Sequence, residues 1–154
     1  MAVQDLSVRP TIGGIHHLKF PVADLARSID YYEAVFGARR LTALDHVRPD
    51  GSLFAVLLDV PGLGTLLELR LDPTRASAQP GFDPITCTVD TRADLVAWEA
   101  HLQTLDVRCS PVLVGVSGWL LAFEDPDSRR IRLYTRETHG PELTPSWDDP
   151  WVKS

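Results

Sequence analysis

Residues 17–37 read HLKFPVADLARSIDYYEAVFG, and this stretch contains the pattern that decides the fold. Its first six residues alternate in polarity, so that the apolar side chains fall on one side of an extended strand and His17 and Lys19 on the other. Asp24 stands where a helix N-cap belongs, apolar residues at helical spacing follow it, and Gly37 is typical of a helix end. The stretch therefore predicts a strand followed by an amphipathic helix, with His17 on the strand face turned away from that helix.

The same order of elements returns in the second half of the chain. Residues 84–89 alternate, and Thr91 begins a capping box ahead of another apolar stripe at helical spacing. His17 precedes Asp24 by the same number of residues as Pro84 precedes Thr91. Three strand candidates follow each predicted helix. The sequence thus predicts an internal repeat of two strand–helix–strand–strand–strand (βαβββ) modules.

This repeat divides the chain into five parts. They are a lead-in over residues 1–12, module 1 over residues 13–72, a linker over residues 73–82, module 2 over residues 83–136 and a tail over residues 137–154. Within the modules, residues 39–45 and 107–116 are further strand candidates, and residues 49–51 (Pro-Asp-Gly) predict a hairpin turn. The tail contains several prolines together with Trp147 and Trp151. Because two tryptophans are rarely left in water without cause, we expect the tail to lie across the body of its own subunit or of a partner.

Net charge, apolar runs and cysteine content indicate which classes of partner and which compartment to expect. With 15 Lys and Arg against 21 Asp and Glu, the 154-residue chain has a formal charge of −6, which argues against nucleic acids and anionic membrane surfaces. The sequence has no apolar run long enough to span a bilayer, and its first residues do not resemble a signal peptide. Its two cysteines form neither a disulfide framework nor a metal-binding spacing. We therefore expect a cytoplasmic protein.

Tandem βαβββ modules that open on His-x-x-x-x-Val-x-Asp-Leu, as at residues 17–25, resemble the vicinal oxygen chelate superfamily. That superfamily includes glyoxalase I, extradiol dioxygenases, fosfomycin-resistance enzymes, methylmalonyl-CoA epimerase and bleomycin-resistance proteins. Residues 66–69 and 124–134 also carry the resemblance, which covers about residues 13–137. It implies an α+β fold in which the two modules form a curved mixed sheet around a cleft.

The resemblance also implies a metal site, and here the chain departs from the family pattern. Carried over position by position, the ligands of the divalent ion fall on His17, Glu68, Pro84 and Arg132. Proline has no side-chain donor and arginine is a permanent cation, whereas a catalytic metal normally keeps three protein ligands. We therefore expect no metal and no other cofactor, with His17 and Glu68 as remnants of the site.

The polar strand faces then supply the candidate ligand-binding residues. They are His17, Lys19, Glu68, Arg70, Thr86, Thr88, Arg130, Arg132 and Tyr134. The cationic residues suit an anionic ligand, with Arg132 gripping a carboxylate or phosphate; alternatively, Arg132 pairs with Glu68 in place of the metal. The other four histidines are expected to have no role in the site: His16 lies on the opposite face or at the strand edge, and His46, His101 and His139 lie in a turn, a helix and the tail.

Three functions remain open. The first is binding of a small anionic or aromatic molecule, similar to the bleomycin-resistance members, which sequester a drug between two subunits; this implies a homodimer. The second is a cofactor-free isomerase, lyase or cyclase in which Glu68 and His17 transfer a proton. The third is a metal-dependent enzyme like the glyoxalases or dioxygenases, which requires a third ligand that the sequence does not reveal.

Overall fold

The structure is a computed structural model that describes residues 9–153, so most of the expected lead-in and Ser154 of the tail lie outside the described residues. Its strands are β1 (His17–Val22), β2 (Arg39–Arg40), β3 (His46–Val47), β4 (Leu53–Asp59), β5 (Leu66–Leu71), β6 (Ile85–Val89), β7 (Leu113–Val114), β8 (Trp119–Glu124) and β9 (Arg130–Thr135). Its α-helices are α1 (Leu25–Phe36), α2 (Pro73–Ala78) and α3 (Arg92–Thr104). Within residues 9–153, no helix is both long and apolar enough to cross a membrane.

Three predicted helix boundaries are confirmed: both ends of α1 and the start of α3. Asp24 caps α1 by accepting a hydrogen bond of 3.0 Å from the backbone N–H of Arg27. Gly37 ends this helix in the left-handed conformation, with φ of 67°, which costs glycine little because it has no Cβ. Thr91 and Asp94 form the predicted capping box at the start of α3.

Each module forms its own mixed sheet. In module 1 the strand order is β1-β5-β4-β2, with β3 also paired to β4; in module 2 it is β6-β9-β8-β7. In both, the first strand runs parallel to the last strand of its module, and that last strand pairs antiparallel with the strand before it. The repeated connectivity confirms the predicted α+β fold of two tandem βαβββ modules.

Three local predictions differ from the structure. Only Arg39–Arg40 of the expected strand over residues 39–45 is extended, because the chain then turns through a 3₁₀ helix at Thr42–Leu44. Likewise, only Leu113–Val114 of residues 107–116 form a strand. The expected linker includes α2, whose first residue is Pro73; proline is tolerated there because the N–H of a first-turn residue has no partner within the helix.

The apolar faces of both sheets meet α1 and α3 in one core. It includes Phe20, Val22, Tyr32, Val56, Leu69, Leu95, Leu102, Leu121, Phe123 and Leu133. Because side chains alternate along a strand, the polar residues of β1 and β5 and those of β6 and β9 point away from this core, on the outer faces of the two sheets. The fold of one chain therefore presents two separate polar faces.

A buried polar contact joins the modules behind these faces. Asp125 accepts hydrogen bonds from the Tyr32 hydroxyl at 2.8 Å and from the Arg129 guanidinium at 2.5 Å. Arg129 also donates to the carbonyl oxygen of Pro21. The side chains of Asp125 and Arg129 are only 0% and 3% exposed, so the pair is fully desolvated. Separating such a pair would leave a buried charge without its partner, which is costly. The pair therefore favours a single arrangement of the elements that it joins.

Candidate functional site

Glu68 lies at the centre of the polar face of module 1. Its side chain is only 1% exposed, although it is charged. The guanidinium of Arg70 donates from Nε to Oε2 at 2.8 Å and from Nη2 to Oε1 at 3.3 Å. The two residues meet because they are two positions apart on β5, where side chains alternate between faces. A buried carboxylate needs such partners, and Arg70 supplies the strongest of them.

Two histidines and a lysine complete this group, which we call the Glu68 cluster. Oε1 of Glu68 lies 3.9 Å from Nε2 of His17 and 3.3 Å from Nε2 of His46. Lys19 is the residue of β1 directly paired with Glu68 in the sheet register. The structure therefore brings together the four site residues predicted for module 1 and adds a fifth, His46.

His46 was expected in a turn and without a role. It belongs to β3, where it pairs with Ala55 of β4 and so turns its ring toward β5. The sequence holds one signal for this placement: the Pro-Asp-Gly turn at residues 49–51 folds the segment before it back against β4. Because β3 is only two residues long, its sequence is too short to show the alternation that predicts a strand.

The environment of Glu68 favours its charged form. Burial raises the pKa of its carboxyl, but the hydrogen bonds and charge of Arg70, together with the charges of His46 and Lys19, outweigh burial and bring the pKa below its usual value. Glu68 is therefore ionised at neutral pH. In this state it holds Arg70 in place and is a weak proton acceptor.

An aromatic side chain borders the cluster. The guanidinium carbons of Arg48 and Arg70 lie 4.8 Å and 5.5 Å, respectively, from the centroid of the Phe54 ring. The His46 ring meets it edge-on, with centroids 5.6 Å apart. Arginine over an aromatic face is a favourable arrangement that fixes both groups. Module 1 thus presents fixed positive charge beside an apolar ring.

The site residues predicted for module 2 lie together on the second polar face. Arg132 pairs with Asp83, and both Arg130 and Arg132 donate to the carbonyl oxygen of Trp151, each at 3.2 Å. The two threonines, Thr86 and Thr88, are exposed on β6. The C-terminal tail therefore covers part of this face, as expected of a tail that lies across its own subunit.

Tyr134, the last predicted residue, is tied to the loop before β8. Its hydroxyl oxygen accepts hydrogen bonds from the backbone N–H groups of Ser117 at 2.9 Å and Gly118 at 3.2 Å. Burial raises the pKa of this hydroxyl, but the side-chain and backbone hydrogen bonds from Ser117 and Gly118 outweigh it and lower the pKa overall. These contacts give Tyr134 a role in anchoring the loop.

The alternative in which Arg132 pairs with Glu68 is wrong within one chain. Each arginine finds a carboxylate on its own module, Arg70 with Glu68 and Arg132 with Asp83. The reason is geometric, because the two polar faces lie on different sheets and point away from a shared core. Sequence spacing alone did not reveal which carboxylate each arginine meets.

The donor set of the Glu68 cluster does not fit a divalent metal. His17, His46 and Glu68 are of the right types, but Arg70 occupies both carboxylate oxygens and Lys19 adds a second positive charge. Across residues 9–153, no three His, Cys, Asp or Glu side chains are arranged to hold a metal ion. His46 thus adds a third candidate donor residue, but the positive charges of Arg70 and Lys19 disfavour a metal cation at this place.

A groove of about 690 Å³ opens between the modules. Aromatic side chains from both long helices line it, namely Tyr32, Phe36 and Trp98. β1 and β6 border it as well, and each is an edge strand of its sheet, with one side free of pairing among the described strands. Unpaired strand edges are ready to accept another strand.

Comparison with known proteins identifies the family. The family described as Glyoxalase/Bleomycin resistance protein/Dioxygenase superfamily matches residues 14–133, which is most of the chain. The chain belongs to this superfamily. It is 29% identical over 127 residues to the metallothiol transferase FosB of Bacillus licheniformis, an alignment that covers 79% of this chain and 75% of that protein.

Solved structures share the fold. The antibiotic-binding protein TnmS3 from Streptomyces sp. CB03234 superposes with a TM-score of 0.65 at 24% identity, covering 84% of this chain and all of TnmS3. The fosfomycin resistance protein FosX of Listeria monocytogenes, solved with Mn(II) and 1S,2S-dihydroxypropylphosphonic acid, gives a TM-score of 0.64 at 17% identity and covers 80% of this chain and 90% of FosX. At these identities the likeness shows the fold.

Proposed function

We propose that this protein binds a small anionic molecule with an aromatic or apolar part, in the manner of a resistance or sequestration protein and without a resident metal. The observation that carries the proposal is the Glu68 cluster. Its buried carboxylate orients Arg70, while Lys19, His17 and His46 surround the same spot. Because the guanidinium of Arg70 is already held in position, less conformational entropy is lost when the ligand binds.

Charge supports an anionic ligand. Arg70 and Lys19 carry two fixed positive charges against the single negative charge of Glu68, and Arg48, which contacts the ring of Phe54, adds a third. This local excess of positive charge lies in a chain whose formal net charge is −6. Phe54 offers an apolar surface next to the cations. An anion joined to a ring would meet both features at once.

The named relatives are compatible with this ligand class. FosX was solved with a phosphonic acid, and TnmS3 is described as an antibiotic-binding protein. Both are small-molecule proteins built on the same two modules. Since one fold hosts many activities, these names support the class of ligand and leave its identity to experiment.

We further propose that the protein acts as a homodimer. The edges of β1 and β6 lie on either side of the open groove. If β1 of one subunit lies beside β6 of its partner, the polar faces of module 1 and module 2 become continuous, and the predicted cleft forms between subunits. Light scattering should then give twice the chain mass at micromolar concentration; a monomer at 100 μM would contradict the arrangement.

A second candidate function is a cofactor-free isomerase, lyase or cyclase that uses Glu68 and His17. Its support is the 3.9 Å approach of His17 to Glu68, with His46 as a further base at 3.3 Å. Against it, Arg70 engages both oxygens of Glu68 and lowers its pKa, which weakens it as a base. Turnover that survives a chelator and is lost in Glu68→Gln would establish this function instead.

The binding proposal is tested by titration calorimetry with phenylphosphonate as the probe. Arg70→Gln should weaken binding about tenfold or more, because it removes a charge-assisted contact. Arg75→Gln is the matched control, since it removes the same charge from the exposed surface of α2. Lys19→Gln, on an exposed residue, provides a second variant whose folding is not at risk. Equal affinity in the wild type, Arg70→Gln and Lys19→Gln would overturn the proposal.

A further inference from the structure

The tail docks on module 2 by backbone contacts that carry it toward the second polar face. Ser146 donates its N–H to the carbonyl oxygen of Val114 at 2.9 Å, and its hydroxyl accepts from the N–H of Val114 at 3.1 Å. Beyond this point Asp149 turns the chain, with its carboxylate accepting the N–H of Trp151 at 2.8 Å. The turn places Trp151 over the arginines of β9.

Trp151 is held there in two ways. The guanidinium carbons of Arg108 and Arg130 lie 4.9 Å and 5.3 Å, respectively, from the centroid of the Trp151 ring. Its backbone carbonyl oxygen accepts from Nη1 of Arg130 and from Nη2 of Arg132, each at 3.2 Å. Trp151 thus contacts two guanidinium groups with its ring and two with its backbone oxygen, Arg130 taking part in both sets.

This arrangement has the chemistry of a ligand site filled by a weak occupant. A backbone carbonyl is neutral, whereas a carboxylate or phosphonate adds the attraction of opposite charges and can accept two parallel hydrogen bonds from one guanidinium. Nε of Arg130 is buried and has no hydrogen-bond partner among the residues that the structure describes. The face therefore has donor capacity that Trp151 does not use.

We propose that the polar face of module 2 is a binding site for an aromatic carboxylate or phosphonate, and that residues 146–153 form a strap whose Trp151 occupies this site until the ligand displaces it. This inference rests on the proposed function and deepens it, because Arg130 and Arg132 lie on the module 2 face that the proposed dimer joins to the Glu68 cluster. It predicts that ligand binding and release of the strap are a single competitive event. The apparent affinity of the full chain is then reduced by the fraction of molecules in which the strap is seated.

The direct test follows Trp151 in the intact protein. The chain is labelled with 5-fluorotryptophan, the Trp151 resonance is assigned by its loss in Trp151→Phe, and phenylphosphonate is titrated by ¹⁹F NMR. We expect the Trp151 signal to move to the position of an exposed indole as the site saturates. The same shift is expected in Arg70→Gln, which separates this site from the one on module 1. Saturable binding to Arg70→Gln with an unmoved Trp151 signal would overturn the inference.

A variant series gives an independent readout. Trp151→Ala keeps the backbone carbonyl but removes the ring that contacts Arg108 and Arg130 and holds the strap in place. In an Arg70→Gln background it should therefore bind phenylphosphonate about tenfold more tightly than Arg70→Gln alone, if the strap is seated in about nine molecules of ten. Leu143→Ala is the control, since Leu143 is an exposed apolar residue of the tail that lies outside the strap, and the variant should leave the affinity unchanged. Adding Arg130→Gln to Trp151→Ala should abolish the gain. Unchanged or weaker binding in Trp151→Ala would contradict the strap.

Discussion

Glu68 and Arg70 lie two residues apart on β5, and the guanidinium of Arg70 donates to both carboxylate oxygens of Glu68, at 2.8 Å and 3.3 Å. Glu68 is at a position where the superfamily resemblance implies a metal ligand. In this chain its counterion is an arginine from the same strand. The pair makes the centre of the module 1 face a preorganised cationic surface, and the first prediction concerns its titration.

The pH dependence of stability should report this pair. The pKa of Glu68 lies below its usual value of 4.5, so Glu68 stabilises the fold above that value, and the contribution is lost as pH falls through the lower, folded-state pKa. Glu68→Gln should therefore reduce the free energy of unfolding at pH 7 by about 1–3 kcal/mol. The deficit should shrink as the pH is lowered toward 3, as measured by urea denaturation.

The control for this prediction is Asp59→Asn, which removes a half-exposed carboxylate of β4 that pairs with exposed Arg39. It should change stability little at any pH, because exposed ion pairs contribute little. A Glu68→Gln deficit that stays constant or grows toward pH 3 would contradict the assigned ion pair.

The buried Asp125–Arg129 pair of module 2, which also contacts Tyr32 and Pro21 of module 1, should matter more for stability than any surface pair. Asp125→Asn keeps the shape of the side chain but leaves the Arg129 charge without its partner, and we expect a loss of about 3–5 kcal/mol in the free energy of unfolding. Asp90→Asn is the comparison, because Asp90 is 82% exposed and pairs with exposed Arg136. Equal stability of the two variants would show that Asp125 does not hold the modules together.

His139 should titrate above the usual histidine pKa of 6.5. Its two ring nitrogens face the carbonyl oxygens of Gly140 at 2.8 Å and Gly115 at 2.9 Å, which both require a donor. These contacts, with the charge of Glu142 nearby, raise its pKa by favouring the doubly protonated ring. Its contribution to docking of the tail is complete below pH 6.5 and is lost as pH rises through the raised value.

Proton NMR of the imidazole resonances measures this pKa directly. The ring also meets Trp119 edge-on, which makes its resonances distinct, and His139→Gln assigns them. Glu142→Gln should lower the pKa slightly by removing the nearby negative charge. A value at or below 6.5 in the wild type would contradict the two carbonyl contacts.

The sequence predicted those parts of the fold that depend on residues close to one another in the chain. Alternation predicted β1 and β6, and capping residues such as Asp24, Thr91 and Gly37 predicted the ends of the helices. Each of these signals acts within a few residues of the chain. The repeat of the same signals in the second half was enough to predict the second module.

What could not be predicted depends on contacts between distant segments. His46 enters the site through the pairing of a two-residue strand with β4, and Arg132 meets Asp83 rather than Glu68 because the modules form separate sheets. The tail was expected to lie on a protein surface, but its sequence does not indicate that Trp151 contacts Arg130. These placements follow from packing of the whole chain.

The most direct test of the central claim is whether an anion binds without a metal. Phenylphosphonate is titrated by calorimetry into protein dialysed against a chelator, and again after addition of one equivalent of Mn(II), with metal content measured in both samples. We predict the same dissociation constant in the two titrations, a tenfold or greater weakening in Arg70→Gln, and less than about a tenth of an equivalent of metal in protein purified without chelator, measured before the dialysis. Binding that appears only after Mn(II) is added would contradict the account.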